Sequence, residues 1–436
     1  MTGTAAGLTG AIRRAYAALV SRLLGKGAYW RNVATVTVGT VGAQAIGIAS
    51  MLAVARLYTP AEFGAFAFFF AVAGLLTLLG TGRYELAVFV ARREREAFDT
   101  ALLSLSITAL VALVLLAAAP LLAPVLQAFG ATHEFSRFSL LLPATVAVGG
   151  AAATLMALAT QQRAYKAAAR GRLLQALTAA AVNITLGLFG WGATGLILGF
   201  IAGQTVAVAL LAIHLRLPRA LRSLRPRALA VRARRNANFP RFILLGDTFN
   251  YLGGNMVALV TPNYFGPAAL GQYNLGQRVA GLPLTIIGGA MGEVFRSGIS
   301  PQHTRSEDVR GLFRFTAMRL AAIGAVLTAP LLLAAPLLFS LAFGAKWREA
   351  GVYVQILSPV IFARFVVSPL SAVLHLRGRQ KLDAALQVTF VVTALLAFFI
   401  GLGLKSFLAM VLALAVFHTT LYMVYFFASW WAVKSG

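Results

Sequence analysis

Apolar residues occur along this chain in long continuous blocks, separated by short charged or Pro/Gly-rich breaks. A block of about 20 apolar residues is long enough to cross the bilayer core as a helix, and continuous rather than alternating apolar character argues against membrane strands. The breaks delimit twelve predicted spans: 33–55, 63–89, 98–122, 138–159, 173–190, 194–215, 239–261, 268–293, 315–340, 352–375, 384–402 and 406–430. The pattern predicts an all-α integral membrane protein of about twelve helices.

Composition agrees with this prediction. The 436 residues are 59% hydrophobic and 11% charged, whereas a soluble domain has roughly a quarter of its residues charged. There is no cysteine, so thiolate catalysis and cysteine-based metal sites are excluded. The sequence also has no GxxxxGK[ST] phosphate loop, and its five histidines lack metal-ligand spacing. We therefore expect neither an enzyme nor a metal or cofactor.

The net charge of +26 is distributed very unequally between the two sides of the predicted membrane. When Lys and Arg are assigned to alternate connections, 29 fall on one side and 5 on the other, and 4 lie within spans. Such asymmetry is the positive-inside signal, which places both termini in the cytoplasm. The basic residues thus serve as topology determinants facing anionic lipid, and we expect no nucleic-acid partner.

Four regions follow from this topology. Residues 1–32 form a cytoplasmic amphipathic N-terminal segment, 33–215 a first six-helix bundle, 216–238 a basic cytoplasmic linker and 239–436 a second six-helix bundle. We interpret the N-terminal segment as a basic anchor for the first span, with a helix lying in the membrane interface as the alternative.

The two bundles contain an internal repeat. An offset of 207 residues superimposes 58–75 on 265–282, and the matches include Pro60 with Pro267, Gly64 with Gly271, and later Gly82 with Gly289. Matched Pro and Gly mark the same turn and helix start in both copies. Parallel repeats of this kind bracket a central substrate path in many transporters.

Several charged residues are predicted within the spans. A charge at the bilayer centre costs about 2.5–3.5 kcal/mol on insertion scales and is functional by default. Counting residues along the spans places Arg278, Arg364 and Asp247 deep in the membrane, with Arg83 and Glu85 nearer the cytoplasmic end. Arg278, Arg364 and Asp247 each lie on a helix face of polar or small residues.

These faces predict a water-filled cavity. Its candidate substrate-binding residues are Arg278, Arg364, Arg83, Asn274, Asn250 and Gln44. The alternative is a packing seam of small residues in which Asp247 neutralises Arg278. Asp247 and Glu85 are therefore candidates for ion coupling or for structural ion pairs, and Pro283 is a candidate hinge.

Three stretches resemble the Wzx-type polysaccharide (O-antigen) flippases of the MOP exporter superfamily. They read ARLYTPAEFGAFAFF, GTGRYELAVFVAR and GQYNLGQRVAGLPLTIIGGAMGEVF. The resemblance implies two six-helix bundles facing each other across a cavity, in a bacterial inner (plasma) membrane. It also implies that undecaprenyl-diphosphate-linked oligosaccharide moves from the cytoplasmic to the periplasmic leaflet. Within this family the motifs support Arg278 and the Arg83/Glu85 pair, whereas Arg364 rests on its depth alone.

The resemblance further implies a role in making surface polysaccharide, such as lipopolysaccharide or exopolysaccharide, by alternating access. Expected partners are the lipid-linked glycan and membrane lipids, with a polysaccharide polymerase and glycosyltransferases as further candidates. Two alternatives remain at this point. A MATE-like small-molecule antiporter would favour an acidic cavity, and a non-transporting scaffold would use the basic linker to hold glycosyltransferases.

Overall fold

The computed structural model of the chain describes residues 28–128, 138–217, 226–299 and 306–434, and within these ranges every regular element is helical. The predicted all-α class is therefore confirmed. Each of the twelve predicted spans corresponds to one long helix: α1 (Ala28–Leu57), α2 (Pro60–Thr81), α3 (Glu94–Ala128), α4 (Leu141–Gln161), α5 (Tyr165–Leu188), α6 (Gly192–His214), α7 (Leu244–Phe265), α8 (Pro267–Gly298), α9 (Ser306–Phe343), α10 (Arg348–Leu370), α11 (Gln380–Gly403) and α12 (Phe407–Lys434). Most of the predicted N-terminal segment (1–27) and part of the linker (218–225) lie outside the described residues.

Nine of these helices are long and apolar enough to cross a membrane, judged over the described residues. The other three, α5, α7 and α8, contain more polar and small residues. A polar membrane helix is stable only if its polar face meets protein or water rather than lipid. We therefore expect α5, α7 and α8 to face the interior; α5 and α8 line the central cavity described below, whereas α7 packs against α2 and does not line that cavity.

The repeat marks equivalent helix starts. At α2, the Thr59 hydroxyl accepts a hydrogen bond from the Glu62 amide (3.3 Å), while the Thr59 amide donates to the Glu62 carboxylate (2.6 Å). This capping box satisfies two free amides of the first turn, and Pro60 takes the first helical position. The second copy begins α8 with Pro267 in the same position.

The predicted span 63–89 is wrong at its C-terminal end. Helix α2 stops at Thr81 because Gly82 and Arg83 both adopt left-handed backbone conformations (φ 56° and 59°). Two short helical segments, Tyr84–Ala87 and Val88–Val90, then run on toward α3. The match of Gly82 with Gly289 therefore does not extend to structure, since Gly289 lies within the continuous helix α8.

Helices α1–α6 pack on one another, and so do α7–α12. The halves meet mainly where α2 lies against α8 and α7. A short linker helix, Pro226–Arg235, lies against α3, where Glu96 forms an ion pair with Arg232 (3.3 Å). We call the end of the molecule that contains this linker the basic end, and the other end the opposite end.

At the opposite end, the repeated glycines bring the halves into backbone contact. A Cβ added at Gly64 would lie 2.5 Å from the carbonyl carbon of Pro267, and one at Gly271 would lie 2.8 Å from that of Pro60. The residues that the repeat matches in sequence thus pack on each other across a local two-fold axis. Only glycine allows α2 and α8 to approach this closely.

Trp347 adds a second contact between the halves at this end. Its side chain is fully buried, and its indole Nε1 donates to the Ala55 carbonyl of α1 (2.6 Å). The ring also packs edge-on against Phe63 of α2, with centroids 5.1 Å apart. A tryptophan from the second half is therefore inserted into the first half, so the opposite end is closed.

Candidate functional site

A cavity of about 680 Å³ lies between the two halves. Helices α1, α2, α5 and α6 of the first half contribute to its lining, as do α8 and α10 of the second half. The residues with polar side chains in this lining are Gln44, Ser50, Asn183, Asn274, Gln277, Arg278 and Arg364, and the aromatic ones are Phe63, Phe66, Phe70 and Phe200. The lining therefore combines hydrogen-bonding groups with aromatic surfaces.

Two arginines give this cavity its charge. Both Arg278 and Arg364 are exposed to it, and neither forms an ion pair within the described parts of the chain. The Arg278 guanidinium lies 5.8 Å from the centre of the Phe66 ring, which belongs to the other half. No Asp or Glu is present among the described lining residues, so the cavity is positively charged.

Amide side chains provide the uncharged part of the site. Gln44 Oε1 and Asn183 Oδ1 are buried acceptors with no hydrogen-bond partner within the described residues. An unsatisfied buried acceptor costs about 1–3 kcal/mol, and a hydroxyl-rich ligand in the cavity would relieve that cost. Gln277 donates to the Tyr273 hydroxyl (3.3 Å) and keeps its amide oxygen for other partners.

Four of the six residues predicted to bind substrate therefore come together: Arg278, Arg364, Asn274 and Gln44. The other two do not line this cavity. Asn250 is exposed on α7, and Arg83 lies beyond the end of α2, where it forms ion pairs with Glu85 (3.0 Å) and with Asp247 of the other half (2.8 Å).

Two predictions about these charges need correction. Residues two positions apart on a helix do not share a face, so the sequence predicts separate partners for Arg83 and Glu85; this prediction is wrong, because the left-handed turn at Arg83 brings the two side chains together. Asp247 does not neutralise Arg278, since it pairs with Arg83. Arg83, Glu85 and Asp247 form an ion cluster that joins the halves at the basic end.

Next to this cluster, α2 and α7 are in close contact. The Tyr251 hydroxyl donates to the Ala71 carbonyl of α2 (3.0 Å), and a Cβ added at Gly74 would lie 2.9 Å from the Tyr251 ring. The repeat relates this pair to Gln44 of α1 and Gly281 of α8. At this equivalent place, a Cβ added at Gly281 would have no neighbouring atom within 4 Å. The contact between α2 and α7 is therefore closed, whereas its repeat equivalent between α1 and α8 opens into the cavity.

Pro283 lies within α8, a continuous helix of 32 residues. The side chain at position 283 is outside the described part of the structure, so its role as a hinge stays a prediction. Within the described residues, no group of three or more His, Cys, Asp and Glu side chains could hold a metal ion.

Sequence reasoning missed Gln277, Asn183 and Ser50. Gln277 directly precedes Arg278. It was missed because adjacent residues of a helix do not share a face, and Gln277 is therefore not part of the polar face that contains Arg278. Asn183 fits only because Gly199 of α6 leaves room for its side chain. The pairing of Asn183 with Gly199 is a contact between two helices, which no periodicity within one helix reveals.

Comparison with known families gives one match. The profile of a family described as polysaccharide biosynthesis protein matches residues 53–352 of the chain. Comparison with curated protein sequences finds no match.

Comparison with solved structures finds the same helical arrangement in several transporters. An inward-facing multidrug resistance MATE family transporter of the MOP superfamily superposes with a TM-score of 0.70 at 15% identity, covering 89% of this chain and 94% of that one. An outward-facing MATE transporter of that superfamily gives 0.57 at 14% identity, covering 92% and 94%. A MOP superfamily transporter from Pyrococcus furiosus, described as having a binding pocket of reverse polarity, gives 0.54 at 14% identity and the same coverage.

Proposed function

The chain belongs to the polysaccharide biosynthesis protein family and has the fold of MOP superfamily transporters, and on this basis we propose that it is a flippase for lipid-linked oligosaccharide. Family and fold indicate a membrane transporter rather than an enzyme. The proposed substrate is an oligosaccharide joined through diphosphate to undecaprenol. It crosses from the cytoplasmic to the periplasmic leaflet by alternating access between the two halves.

The observation that carries this proposal is the pair of unneutralised arginines in the central cavity. Arg278 and Arg364 share a partly aromatic cavity in which no described acidic side chain opposes them. Two cations held together without counter-ions require an anion for charge balance. Diphosphate fits this requirement, because guanidinium groups bind phosphate oxygens through several parallel hydrogen bonds.

The remaining lining suits the glycan. Gln44, Asn183, Asn274 and Gln277 offer amide donors and acceptors to sugar hydroxyls, and Phe63, Phe66 and Phe70 offer flat apolar faces to sugar rings. The cavity of about 680 Å³ falls in the range of ordinary small-molecule sites, about 300–1,000 Å³. It would therefore enclose a few sugar residues, with the lipid tail remaining outside in the bilayer.

The charge asymmetry suggests which side of the membrane the cavity faces. If the basic end faces the cytoplasm of a bacterial inner membrane, the contacts at Gly64, Gly271 and Trp347 close the periplasmic side. The higher TM-score to the inward-facing structure agrees with that state. Undecaprenyl-diphosphate-linked glycan would then enter from the leaflet in which glycosyltransferases assemble it, and a polymerase would act on it after transport.

An antiporter for cationic drugs is the competing function, because the most similar solved structures include multidrug transporters. Such a substrate would be repelled by Arg278 and Arg364. Among the described lining residues there is no carboxylate to attract it. The polarity of the cavity therefore favours an anionic substrate.

Export of surface polysaccharide tests the proposal. In a deletion strain complemented with Arg278→Ala or Arg364→Ala, we expect export to be lost while the protein stays in the membrane at normal levels. Arg314→Ala is the matched control, since this exposed arginine lines neither the central cavity nor the groove described below. Normal export in both cavity variants would show that the arginines are not the diphosphate site. Restored drug resistance instead of export would favour the antiporter.

A further inference from the structure

A second, smaller cavity of about 250 Å³ lies entirely within the second half, between α8 and α10. It shares Gln277, Gly281 and Arg364 with the central cavity, so the two spaces are continuous. From Arg364 it extends along α8 toward the basic end, where Arg296 completes its lining. We call this space the α8–α10 groove.

Between Gln277 and Arg296, the α8 side of the groove consists of four glycines and one larger side chain, Leu284. Glycines occupy positions 281, 288, 289 and 292. An added Cβ at Gly281 or Gly289 would meet nothing within 4 Å, so the space beside them is open. Arg278 and Arg296 are 18 residues apart, or about 27 Å along a helix that rises 1.5 Å per residue. The groove therefore connects the basic end of α8 with the arginines of the central cavity.

Arg296 lies where a topology-determining arginine is expected, and its exposed side chain also lines the α8–α10 groove. An arginine that only anchors the helix end extends its guanidinium toward water or lipid headgroups. Here Nη1 lies 3.8 Å from the position of an added Cβ at Gly292, one turn back along α8, and the side chain lines the groove.

The charge of Arg296 is also available. Glu293, three residues earlier on α8, is exposed and forms no ion pair with it, and neither does any other acidic residue whose side chain the structure describes. The groove thus has an uncompensated arginine at each end, Arg296 and Arg364, with no described acid between them.

We propose that Arg296 is a capture site for the diphosphate of the lipid-linked substrate, and that the α8–α10 groove leads this anionic group to Arg364. The inference rests on the proposed function, which it deepens by assigning the first contact. A lipid diphosphate lies at headgroup depth, which is where the basic end of α8 is expected. Binding there would raise the local concentration of substrate beside the deeper site.

Binding of undecaprenyl diphosphate to the purified full-length protein tests this assignment. We expect Arg296→Gln to weaken binding about tenfold, or about 1.4 kcal/mol, because the substitution removes a charge-assisted hydrogen bond to the diphosphate. Arg296→Lys keeps the positive charge and should therefore lose less affinity for undecaprenyl diphosphate. Undecaprenol, which lacks the diphosphate, should bind equally to all variants. Arg314→Gln, an equal loss of charge elsewhere, should bind undecaprenyl diphosphate normally.

Filling the groove provides a test that keeps Arg296. Gly289→Leu places a side chain in the open space beside α8, and Gly311→Leu does the same on α9 outside both cavities. In reconstituted vesicles, Gly289→Leu and Arg296→Gln should raise the apparent KM for undecaprenyl-diphosphate-linked glycan several-fold and leave the maximal rate nearly unchanged. A purely structural role would lower the maximal rate and the melting temperature together.

The possible outcomes separate this inference from the proposed function. If Arg278→Ala stops transport while Arg296→Gln and Gly289→Leu behave like their controls, the capture site is wrong and the flippase stands. If Arg296→Gln weakens the binding of undecaprenol as much as the binding of undecaprenyl diphosphate, Arg296 does not recognise the anion and the assignment fails. If Arg278→Ala and Arg364→Ala both transport normally, the cavity arginines are not the diphosphate site and the observation that carries the proposed function is lost.

Discussion

The crossing of α2 and α8 makes a prediction about conformational balance. A Cβ added at Gly64 would lie 2.5 Å from the carbonyl carbon of Pro267, whereas ordinary contacts begin at 3.4 Å. The Pro267 carbonyl oxygen lies closer still to this position, so Gly64→Ala forces the two backbones apart by more than about 1 Å. The atoms in the way belong to the Pro267 backbone, so a change of side-chain rotamer cannot relieve the overlap. Overpacking of this kind costs about 1–3 kcal/mol, and only the state with the opposite end closed bears this cost.

A destabilisation of about 2 kcal/mol changes a two-state ratio about 30-fold. The chain contains no cysteine, so one introduced cysteine reports without background. Ala55→Cys suits this purpose, because Ala55 is fully buried beneath Trp347 while the opposite end is closed. In the Gly64→Ala background we expect a water-soluble maleimide to modify this cysteine at least tenfold faster.

Two controls make the result interpretable. Gly311→Ala adds a Cβ where nothing lies within 4 Å and should leave the modification rate unchanged. Gly271→Ala acts at the same crossing. The double variant Gly64→Ala/Gly271→Ala should therefore be modified little faster than either single variant. An unchanged rate in folded Gly64→Ala protein would refute the view that this crossing holds the end closed.

Three further predictions concern contacts between the halves. Tyr251→Phe removes the donor to the Ala71 carbonyl and should lower stability by about 1 kcal/mol, measured by thermal unfolding in detergent. A double-mutant cycle of Arg83→Gln with Asp247→Asn should give a coupling energy of about 0.5–3 kcal/mol; a value near zero would mean that the ion pair does not join the halves. Trp347→Phe keeps an aromatic ring but loses the indole hydrogen bond, so it should speed maleimide modification of the reporter cysteine less than Trp347→Ala does.

The number and order of helices could be predicted because each depends on local apolar content. Boundaries were less predictable where backbone conformation decides them. Gly82 and Arg83 end α2 eight residues before the predicted limit, since a left-handed pair stops a helix whatever the hydropathy of the residues that follow. Helices α3 and α9 begin earlier than predicted because charged first turns can extend beyond the membrane.

The candidate site was predictable in part. Arg278 and Arg364 are charges within apolar spans, and such charges are rarely found facing lipid. Asp247 satisfies the same rule, yet it lines neither described cavity and pairs with Arg83 of the other half. A single sequence cannot give the pairing of charges from different helices. Likewise Arg296 was counted as a topology determinant, because the direction of a side chain depends on the groove that receives it.

The central claim is that the cavity arginines move an anionic, lipid-linked glycan across the membrane. The most direct measurement is translocation of fluorescent undecaprenyl-diphosphate-linked oligosaccharide in vesicles containing the purified protein. The account predicts translocation by the unmodified chain and by Arg314→Ala, and at least a tenfold slower rate for Arg278→Ala and Arg364→Ala. Equal rates in all four proteins, or none above protein-free vesicles for the unmodified chain, would contradict it.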